Sequence, residues 1–198
     1  MSGPGALPLP LAASIPQFPQ NARRRLCGWI LARCGWHMAG ALPDLPRAVL
    51  IAAPHSSWWD GIWGLLFKVA LGVDIAFMGK RELFRGPLGW LLRHLGGFPI
   101  ERAEAHGIVQ QVTHAFAARD RFWIGIAPEG TRKPVARWRS GFWHIARSAG
   151  VPIVPVAFDY ATRSIVVGAT FTTSPDLEAD LAALRAFYAP FRGRNRGI

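Results

Sequence analysis

The sequence predicts an α/β domain, a mostly parallel sheet flanked by helices, preceded by an N-terminal amphipathic helix that associates with a membrane. Three observations carry this reading. Short apolar runs at 48–53, 121–126 and 151–158 have the length and the Val/Ile/Ala content of strands buried on both faces. Longer stretches with helical spacing separate them, so strands and helices alternate as in βαβ units. Titratable residues also cluster just after the strands, where open α/β sheets place their ligand crevice.

The elements follow in order. Residues 1–19 hold Pro4, Pro8, Pro10, Pro16 and Pro19 and almost no charge, and read as an irregular leader. Residues 20–40 read as an amphipathic interfacial helix. Leu26, Trp29, Ile30, Arg33 and Trp36 recur at helical spacing behind the cluster Arg23-Arg24-Arg25, which is the pattern of a basic helix lying in a membrane interface. Residues 41–190 form the domain proper.

Within it, Ala48–Ala53 is a buried strand, 61–72 a buried helix and 74–78 a strand. A loop over 79–87 leads to Pro87 at the first position of a helix that Gly96-Gly97 ends. A short strand over 98–102 and a helix over 105–118 follow. The strand 121–126 delivers Ala127–Pro134 as a strand-end loop. A helix over 140–148 has Gly150 near its C-cap, and the prolines of strand 151–158 suit its ends or a sheet edge. After a strand at 164–167, Ser174 as N-cap and Pro175 at the first position begin a last helix through Phe187. The Arg-rich tail, 191–198, is expected to be frayed.

Composition narrows the function. The chain has 198 residues, enough for one domain with its own core. Nine Trp and a hydrophobic fraction of 51% leave surplus apolar and indole surface, which suits a membrane face or an acyl-binding groove. The formal net charge is +11, and apart from Lys68, Lys80 and Lys133 every side-chain cation is Arg. Such a balance favours a polyanionic partner. The bases are spread among apolar segments and form no zinc-finger, RNA-binding or basic-zipper pattern, so an anionic lipid surface is expected and nucleic acid is not.

No run reaches the ~18–20 apolar residues of a spanning helix, and no basic region precedes the first apolar residues as in a signal peptide. A peripheral or monotopic position on the cytoplasmic face of the cell membrane is therefore expected. Cys27 and Cys34, two helical turns apart, lie beyond disulfide reach and read as core or interfacial thiols.

The chemistry centres on Pro54-His55-Ser56-Ser57-Trp58-Trp59-Asp60. On one continuous helix, residues five apart point away from each other, so His55 and Asp60 meet only if the chain turns between them. With His55 in the strand-to-helix loop and Asp60 in the first helical turn, the carboxylate fixes the imidazole tautomer and frees the other nitrogen to take a proton. The same residues also fit a capping box, with Ser57 as cap and Asp60 reaching back to its N–H.

Glu129-Gly130-Thr131-Arg132 follows another buried strand. Gly130 permits a tight turn or the close approach of a ligand. Arg132 offers a fork for a phosphate, and Glu129 could orient Arg132 or a substrate hydroxyl. The plainer alternative is a local Glu129–Arg132 pair in a strand-end turn. Lys80 and Arg102 also follow strands, as further cations at the same edge or as solvated rim charges.

With these residues in view, the chain resembles the glycerolipid acyltransferase family that includes the 1-acylglycerol-3-phosphate acyltransferases. His55-xxxx-Asp60 matches its first motif. Lys80-x-Glu82-Leu83, Pro87, Gly89, Gly97 and Arg102 match the second, Pro128–Arg132 the third and Val151–Val156 the fourth. Pro54, Glu101 and Ala127 depart from the residues usual at their positions, and the chain is short for members that form phosphatidic acid.

The resemblance implies that residues 41–190 are an acyltransferase domain. It implies a fatty acyl group moved from acyl-CoA or an acyl carrier protein to a lysophospholipid hydroxyl, with His55 and Asp60 catalytic and no acyl-enzyme. Lys80, Arg102, Glu129, Gly130, Thr131 and Arg132 would hold the acceptor, and no metal or redox cofactor is needed. Two alternatives stand beside this: another lysolipid acceptor, such as a lyso-ornithine lipid, or a non-catalytic basic protein bound to membranes or nucleic acid.

Overall fold

The computed structural model describes residues 7, 10–19, 22–100 and 105–198. In chain order its elements are α1 (Ala22–Arg33), β1 (His37–Ala39), β2 (Arg47–Ala53), α2 (Trp58–Leu71) and β3 (Ile75–Lys80). A 3-10 turn (Arg81–Phe84), α3 (Gly86–His94), β4 (Gly97–Ile100), α4 (Ala105–Ala117) and β5 (Phe122–Ile126) follow. The chain continues through α5 (Gly141–Ala149), β6 (Ile153–Asp159), β7 (Ser164–Val167) and α6 (Leu177–Tyr188).

The strands form one sheet in the order β1-β7-β6-β2-β5-β3-β4. Every pairing is parallel except β6 with β7. The mostly parallel α/β sheet expected from the alternation of elements is what forms.

Successive side chains of a strand face opposite sides, so the central strands divide the core in two. Val49, Ile51, Ala53, Ile124, Ile126, Ile153 and Ala157 pack with Val112 and Phe116 of α4, Phe142 and Ile145 of α5, and Leu184 and Tyr188 of α6. Ala48, Leu50, Trp123, Val154, Val156 and Phe158 pack with Leu31 of α1 and Phe67, Ala70 and Leu71 of α2. Ile15, within the irregular leader, is buried in this second cluster, and Asp74 N donates to Pro16 O at 2.7 Å. Tyr188 ties β2 to β6: its hydroxyl donates to Ile51 O at 2.6 Å and accepts from Val156 N at 3.0 Å.

Several local expectations are corrected. The segment 20–40 is not one helix, since α1 ends at Arg33 and His37–Ala39 adds an edge strand beside β7. Of the residues expected on the apolar stripe of this helix, Trp36 falls beyond the end of α1 and is buried in the core. Leu26 and Trp29 are exposed, whereas Arg24 and Leu31 are buried. The Arg24 guanidinium donates to Leu71 O and Ala70 O, and so satisfies carbonyls left open at the C-terminal end of α2.

Pro155 sits inside a central strand rather than at an end or edge. Its C=O accepts from Gly168 N at 2.9 Å, one residue past the Val156–Val167 pair where the β6–β7 ladder stops. The missing N–H forfeits only the return bond to Gly168, at the point where the ladder ends. The last helix is capped by Asp176, which accepts from Ala179 N at 3.0 Å, while Ser174 Oγ takes Asp176 N. Residues 191–198 are not frayed: they return across the carboxyl ends of β2, β5 and β6.

Candidate active site

Strands β6, β2 and β5 are consecutive in the sheet, and their carboxyl ends point the same way. The residues just beyond those ends, Tyr160, His55 and Glu129, are thereby brought together. This is the crevice position where α/β sheets bind ligands. A cleft of about 400 Å³ lined by Leu45, Arg147, Val151 and Pro152 lies at the opposite ends of β2 and β6. It contains no acid–base pair and is not the site.

Pro54 follows β2 through a cis peptide bond, and His55 comes next. Ser57 caps α2, its Oγ accepting from Trp59 N at 3.2 Å. Asp60, in the first turn, accepts from the amides of Ser56 and Ser57 through Oδ2 at 2.7 and 2.8 Å. The same Oδ2 is 3.4 Å from His55 Nδ1. The capping box and the His–Asp pair are thus not rivals, because one carboxylate serves both. The His55 side chain keeps 28% of its surface exposed and that of Asp60 none, so the ring can meet a substrate while its orienting partner stays dry.

Tyr160 was not visible as a site residue in the sequence. Its hydroxyl donates to Asp60 Oδ1 at 2.6 Å, and its ring meets Trp36 edge-on. Burial alone would raise the Asp60 carboxyl. The His55 ring, the Tyr160 hydroxyl and the two serine amides together outweigh it and hold the group below the usual carboxylate range. Burial first, then the bond to Asp60 and its charge, push the Tyr160 hydroxyl well up, against a smaller opposing pull from Arg194. Tyr160 therefore stays a neutral donor and Asp60 an acceptor.

After β5, Ala127–Gly130 forms a tight turn closed by Gly130 N to Ala127 O at 3.0 Å. Gly130 has φ +64° there, a conformation that glycine adopts without strain. The turn buries Glu129, whose Oε1 accepts the backbone N–H of His55 at 2.9 Å. The local Glu129–Arg132 pair weighed from the sequence does not form, since Glu129 Oε2 is paired with Arg196. The Arg132 guanidinium carbon lies 3.4 Å from the ring centroid of Trp58, the first residue of α2. Arg132 therefore stands on the His55 side of the molecule.

Thr131 Oγ1 accepts from Lys133 N at 3.3 Å and shapes the turn. Lys80 ends β3, the neighbour of β5, and of Lys80 only the backbone is described. Arg102 lies outside the described residues. Among the described residues no group of three or more His, Cys, Asp or Glu could hold a metal ion.

A three-layer α/β fold with a His–Asp pair and an arginine at its strand ends defines the class of the molecule, and comparison with known proteins supplies the family. The model of the Acyltransferase family matches residues 40–159, and the chain belongs to that family. It is similar to the 1-acyl-sn-glycerol-3-phosphate acyltransferase of Streptococcus pneumoniae, 29% identical over 125 residues, which is 62% of this chain and 46% of that protein. The enzyme of the same name from Escherichia coli is 36% identical over 95 residues, 44% of this chain and 38% of that protein. The chain thus spans less than half the length of these relatives. The crystal structure of the 1-acyl-sn-glycerophosphate acyltransferase from Thermotoga maritima shares the fold, with a TM-score of 0.52 over 86% of this chain and 78% of that one at 18% identity.

Proposed function

We propose that the chain moves a fatty acyl group from an acyl thioester, acyl-CoA or acyl carrier protein, to the hydroxyl of a lysophospholipid such as 1-acylglycerol-3-phosphate. The observation that carries this is the partly exposed His55 ring held 3.4 Å from a fully buried Asp60 carboxylate, with Arg132 stacked on Trp58 at the start of the same helix. The names of the relatives agree with this reading.

With Nδ1 turned to Asp60, Nε2 is left for the acceptor hydroxyl. As the oxygen attacks the thioester carbonyl, His55 takes its proton, and Asp60 stabilises the imidazolium that results. The C–S bond then breaks, and the departing thiolate takes up the proton. No Gly-x-Ser-x-Gly elbow presents Ser56 or Ser57 as a nucleophile, so direct transfer is favoured over an acyl-enzyme. Arg132, with Lys80 and Arg102, would bind the acceptor's phosphate or glycerol portion.

The location proposed is the anionic cytoplasmic surface of the cell membrane, supported by the charge of +11. No helix among the described residues is long and apolar enough to cross a membrane. Transfer of labelled acyl thioester to a panel of lysolipids tests the reading. His55→Ala is expected to lower turnover by about 10²–10⁴-fold, and equal product from both proteins would reject the base. A phosphate-free acceptor, the lyso-ornithine alternative, would be used with little dependence on Arg132.

A further inference from the structure

The sequence suggests Arg132 as the partner of Glu129, and the structure pairs Glu129 with Arg196 instead. Glu129 is buried to 1% exposure and gives one oxygen to the His55 amide. A buried carboxylate of this kind needs a cation. Arg196 supplies it, pairing with Glu129 Oε2 and donating from the same nitrogen to Lys133 O at 3.0 Å.

The segment that brings Arg196 there is built against the site. Tyr160 N donates to Arg192 O at 2.7 Å, and Arg192 N donates to Asp159 Oδ1 at 3.2 Å. Asn195 brackets Ser56, its amide donating to Ser56 Oγ at 3.2 Å and its side-chain nitrogen to Ser56 O at 2.8 Å. Gly193 lets the strap approach this closely, since a Cβ there would stand 2.8 Å from Ser56 Oγ and 3.0 Å from Pro54 Cβ. The Arg194 guanidinium lies 5.0 Å from the Trp59 ring centroid.

We propose that Arg196 is a positioning residue of the acceptor site, neutralising Glu129 so that Arg132 stays free to bind an anionic headgroup. This rests on the acyl-transfer reading above and names the residue that keeps its phosphate contact available. Arg132 has no carboxylate partner among the described residues and is held only by stacking on Trp58. Without Arg196, Glu129 would draw Arg132 into the pair that the sequence suggests, and the headgroup would lose a charge-assisted fork.

The test measures steady-state kinetics and, separately, calorimetric binding of 1-acylglycerol-3-phosphate and of the phosphate-free 1-acylglycerol. Arg196→Ala is expected to raise the KM and Kd for the phosphate-bearing acceptor about tenfold, the scale of one such contact. The thioester KM and 1-acylglycerol binding should not change. Arg196→Lys should recover part of the loss. The double variant Glu129→Gln with Arg196→Ala should recover most of it, because a neutral amide no longer competes for Arg132.

Unchanged acceptor affinity in Arg196→Ala, or an equal loss for both acceptors, overturns the proposal, as does failure of the double variant to restore binding. Should Arg196→Ala alone not fold, the double variant, which buries no unpaired charge, decides by the same criterion. A wild type that binds the phosphate acceptor with an affinity lost in Arg196→Ala, but transfers nothing, would reject the activity and keep this assignment. A wild type that transfers acyl groups with Arg196→Ala unaffected would do the reverse.

Discussion

Asp60 carries more of the site than any other single residue: it accepts from two amides and a phenol, and its Oδ2 faces the His55 ring. Because its folded-state value lies below the ordinary 3.8, the unfolded chain binds more protons in the interval between the two. Stability from this group is therefore fully present above about pH 4 and is lost as pH falls through the native value. Tyr160→Phe removes one donor to that carboxylate. Urea denaturation should show a cost of about 1–3 kcal/mol at pH 7, shrinking as pH falls through the lowered native value of Asp60, below which the carboxyl is neutral with or without the phenol. A cost independent of pH would mean that Tyr160 matters through its packing on Trp36. His55 and Asp60 could be read from the sequence because a local turn decides their meeting. Tyr160 and Arg196 could not, because only the order of β6, β2 and β5 in the sheet brings residues so far apart in the chain to one carboxylate.

At the level of elements, two glycines of the second motif, Gly89 and Gly97, are explained by Phe84. Phe84 is buried at the end of the 3-10 turn, and its carbonyl accepts from both terminal nitrogens of Arg93 at 2.8 and 2.7 Å. Three glycines make room around it. A Cβ at Gly79 would stand 2.8 Å from the Phe84 ring, one at Gly97 2.5 Å from it, and one at Gly89 2.0 Å from the Phe84 carbonyl carbon. The glycines thus let β3, α3 and β4 close on one side chain just beyond Lys80. Gly89→Ala meets backbone rather than a yielding side chain, so it should destabilise by about 1–3 kcal/mol. Leu88→Ala, on the exposed face of the same helix, should cost well under 1 kcal/mol. Equal thermal shifts for the two would show that the close packing is not needed. Pattern reading found the strands of the central sheet and α3 to α5 nearly to the residue, since burial on both faces leaves an unbroken apolar run. It overran α1 and missed β1, because three residues of edge strand carry no periodicity and because α1 buries a charged residue, Arg24, along with Leu31.

For the whole molecule, the outstanding surface property is apolar area gathered on one set of helices. Leu26 and Trp29 of α1, Trp58, Trp59 and Ile62 of α2, and Leu88, Trp90 and Leu91 of α3 are all exposed. They belong to one region: α1 packs along α2, and Arg23 of α1 lies 3.3 Å from His94 of α3, on which Trp90 stacks. Trp58 carries Arg132 at the rim of the site, so a surface that took up these indoles would face the crevice where the acyl chain of the proposed reaction would enter. Indoles beside arginines suit a boundary that is apolar on one side and anionic on the other. Vesicle flotation should therefore show binding that strengthens with anionic lipid and weakens with salt, because the charge of +11 acts through a screened field. Replacing both Trp29 and Trp90 by Ser removes apolar contact without touching the charge. Since burying one large apolar side chain is worth about 1.5–3 kcal/mol, partial insertion of two should make the partition coefficient fall by roughly tenfold or more. Transfer to a short-chain acceptor dissolved in water should persist, as neither indole adjoins His55 in the fold. Retention of full vesicle binding by that variant would place the membrane contact on another face, with Arg132 and the strap around Ser56 turned away from the lipid.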